Sequence, residues 1–246
     1  MKTLLATLGF ALFMPLAYAG PNINVGVVYD YLDGDKSTYL KRVFNGGDST
    51  AFVKINIMEI LYSADGAAEE VPLKSQADGN ARDGLMASPA RLIVPSNGMQ
   101  GSRLLFLGER DSERYFRVRF VPVVPEKEDE FAVSAEERET YRASLSAGVN
   151  VLAGYGTVFF VRPKNTRFDS RIEDSANRYS LSNRGNSVVV VDEFKDCAVA
   201  NPLECRPVTK NHVLPGRAFT FEKEAGRVYR FNLVEGSGQK VHEVKG

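Results

Sequence analysis

Along most of this chain apolar and polar side chains alternate with a period of two, the pattern of strands that bury one face. Phe52 to Leu61 (FVKINIMEIL) reads this way, as do Arg91 to Val94, Arg103 to Leu107 and Tyr115 to Val121. Turn residues punctuate these runs at Asn45-Gly46-Gly47-Asp48, Pro95-Ser96-Asn97-Gly98 and Ser182-Asn183-Arg184-Gly185-Asn186. Such spacing predicts an all-β sandwich. Further strands are expected at Val188 to Val191, Ala218 to Phe221 and Arg227 to Val234, with a turn at Leu214-Pro215-Gly216-Arg217. No repeat of fixed period is visible. The best helical candidate, Ser134 to Leu145, lacks an apolar face and is read as part of an acidic loop from Pro125 to Ser146. That segment has too little apolar surface to offset the entropy of ordering, so it is expected to be mobile. Ordering when a partner docks along the next strand is the alternative.

The next strand is the most apolar of all. Ala147 to Pro163 (AGVNVLAGYGTVFFVRP) carries Val149, Val151, Ala153, Tyr155, Thr157, Phe159 and Val161 on one side. The run is longer than a small sandwich needs, so part of it is read as offered to a second protein. The odd set Val149, Val151, Ala153 and Tyr155 is the expected offered face, because the other side holds Asn150, Leu152, Gly154 and Gly156. The competing reading is that these residues cover the protein's own core, and it is preferred for Phe159 and Val161. A boundary at Arg162-Pro163-Lys164-Asn165 ends the strand and divides the chain into units 20–163 and 164–246.

Leu4 to Leu16 is apolar, follows Met1-Lys2 and precedes Ala17-Tyr18-Ala19, which reads as a signal peptide over 1–19. Its apolar core is too short for a spanning anchor, and no later segment is long enough for membrane insertion. The 246 residues carry 31 basic and 31 acidic side chains. Loss of Lys2 with the leader leaves 30 − 31 = −1, which argues against binding nucleic acid through a basic excess. Export makes a Cys197–Cys205 disulfide the expected state, closed by a turn at Asn201-Pro202. A redox or metal site is the alternative, but there is no CxxC spacing and no cluster of histidines.

Several features together resemble one family. Asp33-Gly34-Asp35-Lys36-Ser37 with Leu40, Val43 and Asn45, then Ser88-Pro89 and Arg91 to Pro95, then Arg114-Tyr115-Phe116-Arg117-Val118, then Val158 to Pro163, are similar to the PapD-like periplasmic chaperones of pilus assembly. Ser180 to Asn186, the cysteine pair and Leu214-Pro215-Gly216 resemble the alternative branch of that family. The resemblance implies two immunoglobulin-like β-sandwich domains at an angle, and no catalysis, cofactor or metal. It also implies that the long strand is lent to incomplete pilus (fimbrial) subunits by donor-strand complementation, a form of β-augmentation. The subunits would then pass to an outer-membrane usher, and the free chain would be a monomer or a weak self-capped dimer.

In the family a basic pair in the domain cleft holds the subunit's terminal carboxylate. Here the region of Tyr29 and Asp30 has no base, and Val158 stands in the donor-strand place. Arg117 is the expected replacement, with Arg119 on its face and Arg103 and Arg114 as lesser candidates. Each could instead be an ordinary solvated charge. Arg162 matches a family arginine that forms an interdomain ion pair, with Glu113 as its expected partner. Two other functions compete. A secreted hydrolase would need His212 or His242 as base, yet no GxSxG elbow or HExxH helix is present, and both are read as surface histidines. A structural or adhesive pilus subunit would carry its alternating strand at the N-terminus, whereas here it lies mid-chain.

Overall fold

The structure, a computed structural model, describes residues 20–63, 65–73, 83–146, 151–201 and 203–246. The expected leader over 1–19, Val149 of the offered face and Pro202 of the cysteine turn lie outside the described residues. The first part of the chain forms β1 (Ile23–Asn24), β2 (Tyr29–Leu32), β3 (Thr38–Asn45), β4 (Ala51–Tyr62), β5 (Ala68–Pro72), β6 (Gly84–Ser88), β7 (Arg91–Val94), β8 (Met99–Leu107), β9 (Arg114–Val123), α1 (Ala135–Ser146) and β10 (Tyr155–Val161). The second part forms β11 (Ser170–Asp174), β12 (Arg178–Asn183), β13 (Val189–Ala198), β14 (Thr209–Val213), β15 (Ala218–Glu222), β16 (Arg227–Glu235) and β17 (Gly238–Lys245).

Each part is a two-sheet sandwich. In the first, a four-stranded sheet (β1-β3-β8-β6) faces a six-stranded one (β2-β10-β9-β4-β5, with β7 also on β4). In the second, a three-stranded sheet (β11-β12-β15) faces a four-stranded one (β14-β13-β16-β17). The period of two places the core. Phe116, Val118 and Phe120 of β9 point inward and are fully buried, while Tyr115, Arg117 and Arg119 stand on the outer face. Tyr179, Leu181, Phe231 and Leu233 do the same work in the second sandwich. Burial of each such side chain contributes about 1.5–3 kcal/mol, which is how the alternation selects one register over its one-residue slip.

The two sandwiches share a turn device that fixed-period reading misses. Asn45 and Asn183 are both buried, and each accepts with Oδ1 from the amide two residues on, at Gly47 (3.1 Å) and Gly185 (2.9 Å). Each also donates from Nδ2 to the carbonyl four residues on, at Ser49 and Ser187, both 2.8 Å away. Side-chain amides thus satisfy backbone groups that a tight buried turn leaves unpaired. A Cβ at Gly47 would sit 2.1 Å from Gly20 O, and one at Gly185 2.4 Å from Arg167 O, so only glycine fits either place.

The segment expected to be a mobile acidic loop is instead largely helical. Ser134 Oγ accepts from the Glu137 amide (3.1 Å) and Glu137 Oε2 accepts from the Ser134 amide (2.6 Å), a capping box written in the sequence as Ser-x-x-Glu. One aromatic anchor replaces the missing apolar stripe. Tyr141 packs on Phe52 (4.8 Å between rings) and donates its hydroxyl to Thr50 O (2.8 Å), while Phe131 packs on the same ring at 5.3 Å. The segment is further tied to β4 by an ion pair between Lys54 and Asp129 at 2.6 Å.

The first strand changes sheets. β1 pairs with β3, and after a crossover through Gly26 (φ 69°) the chain re-enters as β2, parallel to β10 in the opposite sheet. A buried ion pair holds this crossover. Lys41 of β3 donates to Asp30 Oδ2 (2.7 Å) and to Val27 O (2.6 Å), and Tyr39 donates to Asp30 Oδ1 (2.7 Å). Removing one partner leaves a buried charge alone, so Lys41→Met should lower unfolding stability by about 3–5 kcal/mol in urea titrations. Pairing it with Asp30→Leu should restore much of the loss. A single variant within about 1 kcal/mol of the parent would contradict this role for the pair.

Candidate functional site

β10 is covered unevenly along its length. On one side it pairs with β9 from Tyr155↔Phe120 to Val161↔Arg114, but on the other it pairs with β2 only from Val158↔Tyr29 to Val161↔Leu32. The Val158 amide donates to Val28 O (2.8 Å) and the Arg162 amide to Leu32 O (3.0 Å). Backbone groups alternate sides along a strand, so the N–H and C=O of Gly156 point to the same edge, two residues before β2 begins. Among the described residues no strand pairs there. Of the expected strand from Ala147 to Pro163, residues 147–150 lie outside the described residues; among the described ones the ladder covers Tyr155–Val161, and Val151 to Gly154 has no partner strand.

The side chains divide in the same way. Thr157, Phe159 and Val161 are buried in the first core, and Tyr155 is half-buried against it. Val151 is 76% exposed and Ala153 is also exposed. Gly156 stands between them and the domain junction, on the outer face; a Cβ there would touch Arg117 Cδ at 3.5 Å.

Of the expected cations, two lie in the middle of β9, the strand that pairs the opposite edge of β10. Arg117 is opposite Val158 and Arg119 opposite Gly156, both on the outer face of β9. Arg117 donates from Nε to Glu70 Oε1 (3.0 Å), and Arg119 donates from Nη2 to Glu70 Oε2 (2.5 Å). Arg103 is a correction: it lies on β8 in the opposite, four-stranded sheet, exposed and near Thr38, because β8 and β9 belong to different layers. Arg114 is committed elsewhere, holding both oxygens of Glu59 (2.7 and 2.9 Å) and Asp83 (2.6 Å).

The junction corrects two further expectations. Arg162 pairs with Asp33 (2.5 Å), not Glu113, and its guanidinium lies over the rings of Tyr31 and Phe168. Glu113 crosses the domain junction by another route. Its Oε1 accepts from Ser187 Oγ (2.6 Å), and its Oε2 accepts from the Val188 amide (2.8 Å) and the Tyr115 hydroxyl (3.0 Å). Burial raises its pKa, against the lowering effect of these three donors. His212 is no surface histidine. Its ring stacks on Phe160 (5.1 Å) and lies 4.1 Å from that of Tyr29, with Nε2 2.7 Å from the Tyr31 hydroxyl. Burial holds the Tyr31 hydroxyl protonated, and it shares a hydrogen bond with the neutral imidazole. Glu70 and Tyr31, which sequence reasoning missed, and His212, whose role it misread, form contacts between positions far apart in the chain, which no local pattern announces. The Cys197–Cys205 disulfide is formed, across a short hairpin after β13.

No family model matches the chain. In sequence it is 25% identical over 203 residues to the probable fimbrial chaperone EcpB of Escherichia coli, covering 82% of this chain and 81% of that relative. Among solved structures it is similar to the class 5 fimbriae chaperone CfaA, with a TM-score of 0.54 and 19% identity over 92% of this chain and 99% of that one. It is similar also to a chain in the complex of the Salmonella enterica SafA pilin with the SafB chaperone, with a TM-score of 0.51 and 12% identity over 94% and 99% of the two chains. At such identities the solved structures speak for the fold.

The junction predicts a pH dependence. Burial, with Lys210 nearby, pushes the His212 pKa down to about 4, against the opposing charge of Asp192. The unfolded chain then binds more protons between about pH 4 and the ordinary value near 6.5, so the His212 contribution is complete above that window and is lost as pH falls through it. Its size is on the order of 3 kcal/mol. The raised Glu113 carboxyl acts with the opposite slope above its ordinary range. Urea midpoints should therefore fall less between pH 6.5 and about 4 in His212→Phe than in the parent. Parallel profiles would show that the ring is not held neutral by the junction.

Proposed function

We propose that this chain, which resembles the PapD-like fimbrial chaperones in sequence and in fold, is a periplasmic chaperone that caps pilus subunits and delivers them to an outer-membrane usher. The observation that carries the reading is the open edge of β10, which ends where β2 begins at Val158. A sandwich lacking one strand exposes unpaired backbone groups and a cleft in its core. An edge with free N–H and C=O groups and projecting apolar side chains meets both needs at once. The solved complex of the SafA pilin with the SafB chaperone adds support by fold, and the leader with the disulfide supports an exported, oxidising location.

In this reading Val149, Val151 and Ala153 enter the subunit, and Tyr155 is the hand-over residue, half committed to the chaperone's own core. A strand added beside 151–157 must stop where β2 takes over the edge. Its terminal carboxylate would then lie at the level of Val158, across β10 from Arg117. Charge-assisted hydrogen bonds from a guanidinium suit that group and set the register of the added strand. Arg162, stacked over Phe168, and Glu113, through Ser187 and Val188, keep the two sandwiches at the angle that leaves this edge reachable.

Co-expression of candidate fimbrial subunits in the periplasm tests the reading. Val151→Asp and Ala153→Asp should reduce recovered complex by about tenfold or more, because a charge would enter an apolar cleft. Their own unfolding midpoints should not move, since both side chains are exposed. Arg117→Ala should likewise lose the complex while staying folded. Full recovery with all three variants would refute the lent strand and its anchor.

A further inference from the structure

We infer that Glu70 is a positioning residue for Arg117, holding its guanidinium so that the two terminal amino groups are free to receive a carboxylate. This deepens the reading of Arg117 given above and rests on it. Glu70 lies on the edge strand β5, paired with Ile60 of β4, which in turn pairs with Tyr115 of β9. Arg117 pairs with Met58 on the same β4, so the two side chains meet across an intervening strand.

The contact is built in three ways. Glu70 uses one oxygen for Arg117 Nε and the other for Arg119 Nη2, so its carboxylate is fixed at both ends. All three side chains are partly covered, with 31%, 42% and 27% exposure for Arg117, Arg119 and Glu70. The Arg117 stem lies against β10, its Cδ 3.5 Å from where a Cβ on Gly156 would be, an ordinary van der Waals contact. An arginine held at its stem and at Nε has the plane of its fork set before a ligand arrives. That preorganisation lowers the cost of ordering a long side chain on binding.

Among the described residues Arg117 makes its side-chain hydrogen bond through Nε, which leaves Nη1 and Nη2 uncommitted. A bidentate carboxylate contact uses such a pair. Partial burial acts to raise the Glu70 pKa, but hydrogen bonds from Arg117 and Arg119 hold it below its ordinary value, so it stays an ionised acceptor. Two guanidinium groups with one carboxylate leave a local charge of one positive, suited to one more anion.

Two variants separate positioning from charge. Glu70→Gln and Glu70→Ala remove the same negative charge, but only glutamine leaves an oxygen for Arg117 Nε. The probe is a labelled peptide of alternating valine and threonine, made once with a free terminal carboxylate and once as the terminal amide. With the full chain at physiological salt, fluorescence anisotropy should give the parent a preference of about tenfold for the acid form. Glu70→Gln should keep most of that preference and Glu70→Ala should lose most of it, with amide binding unchanged in both and circular dichroism reporting an intact fold. Equal retention in both variants would overturn the inference alone, and a rise in both would mean that Glu70 competes for the fork instead of presenting it. A parent without any acid preference would remove Arg117 as the anchor, and the inference would fall with it.

Discussion

The proposed binding surface depends on where the first strand stops covering β10. Because β1 belongs to one sheet and β2 to the other, the chain must cross between layers, and only after the crossing can it pair with β10. Among the described residues, the stretch from Val151 to Thr157 is left with an open edge on that side. Exposed edges invite pairing with foreign strands, and most proteins block them. Here the crossover is locked by Lys41 and Asp30, a buried pair whose individual removal is costly, so the edge is held open by the protein's own stability. An open edge of this kind is a binding device when what it pairs with is another protein's missing strand.

The junction between the sandwiches serves the same end through different chemistry. Glu113 from the first sandwich satisfies the start of β13 in the second, and His212 from the second fills an aromatic box of Tyr29, Tyr31 and Phe160. These contacts are buried and specific in geometry, unlike the surface ion pairs that fold proteins carry in number and that contribute little. They fix the second sandwich over the C-terminal end of β10 and leave its N-terminal end clear.

Much of the fold was legible because its strands bury one face, and a period of two is a strong local signal. Phe52 to Leu61, Tyr115 to Val121 and Arg227 to Val234 fall within β4, β9 and β16. The helix was missed because α1 owes its place to a capping box and to Tyr141 on Phe52, neither of which shows in amphipathicity. The candidate edge was legible only in part. Apolar alternation marked the strand, but which residues of it lack a partner depends on β2, more than a hundred residues earlier in the chain. Charge partners were the least legible. Arg117 with Glu70 and Arg162 with Asp33 are meetings across strands and loops, and a list of arginines cannot distinguish them from Arg103, which faces away in the other sheet.

The central claim is that a subunit strand adds to β10 before Val158. Amide hydrogen exchange at single-residue resolution, in the free chain and in its complex with a pilus subunit, tests this most directly. The Val158 amide, bonded to Val28, should exchange slowly in both states. The Gly156 amide should exchange rapidly in the free chain and become protected in the complex. Equal exchange of Gly156 in the two states would contradict the account.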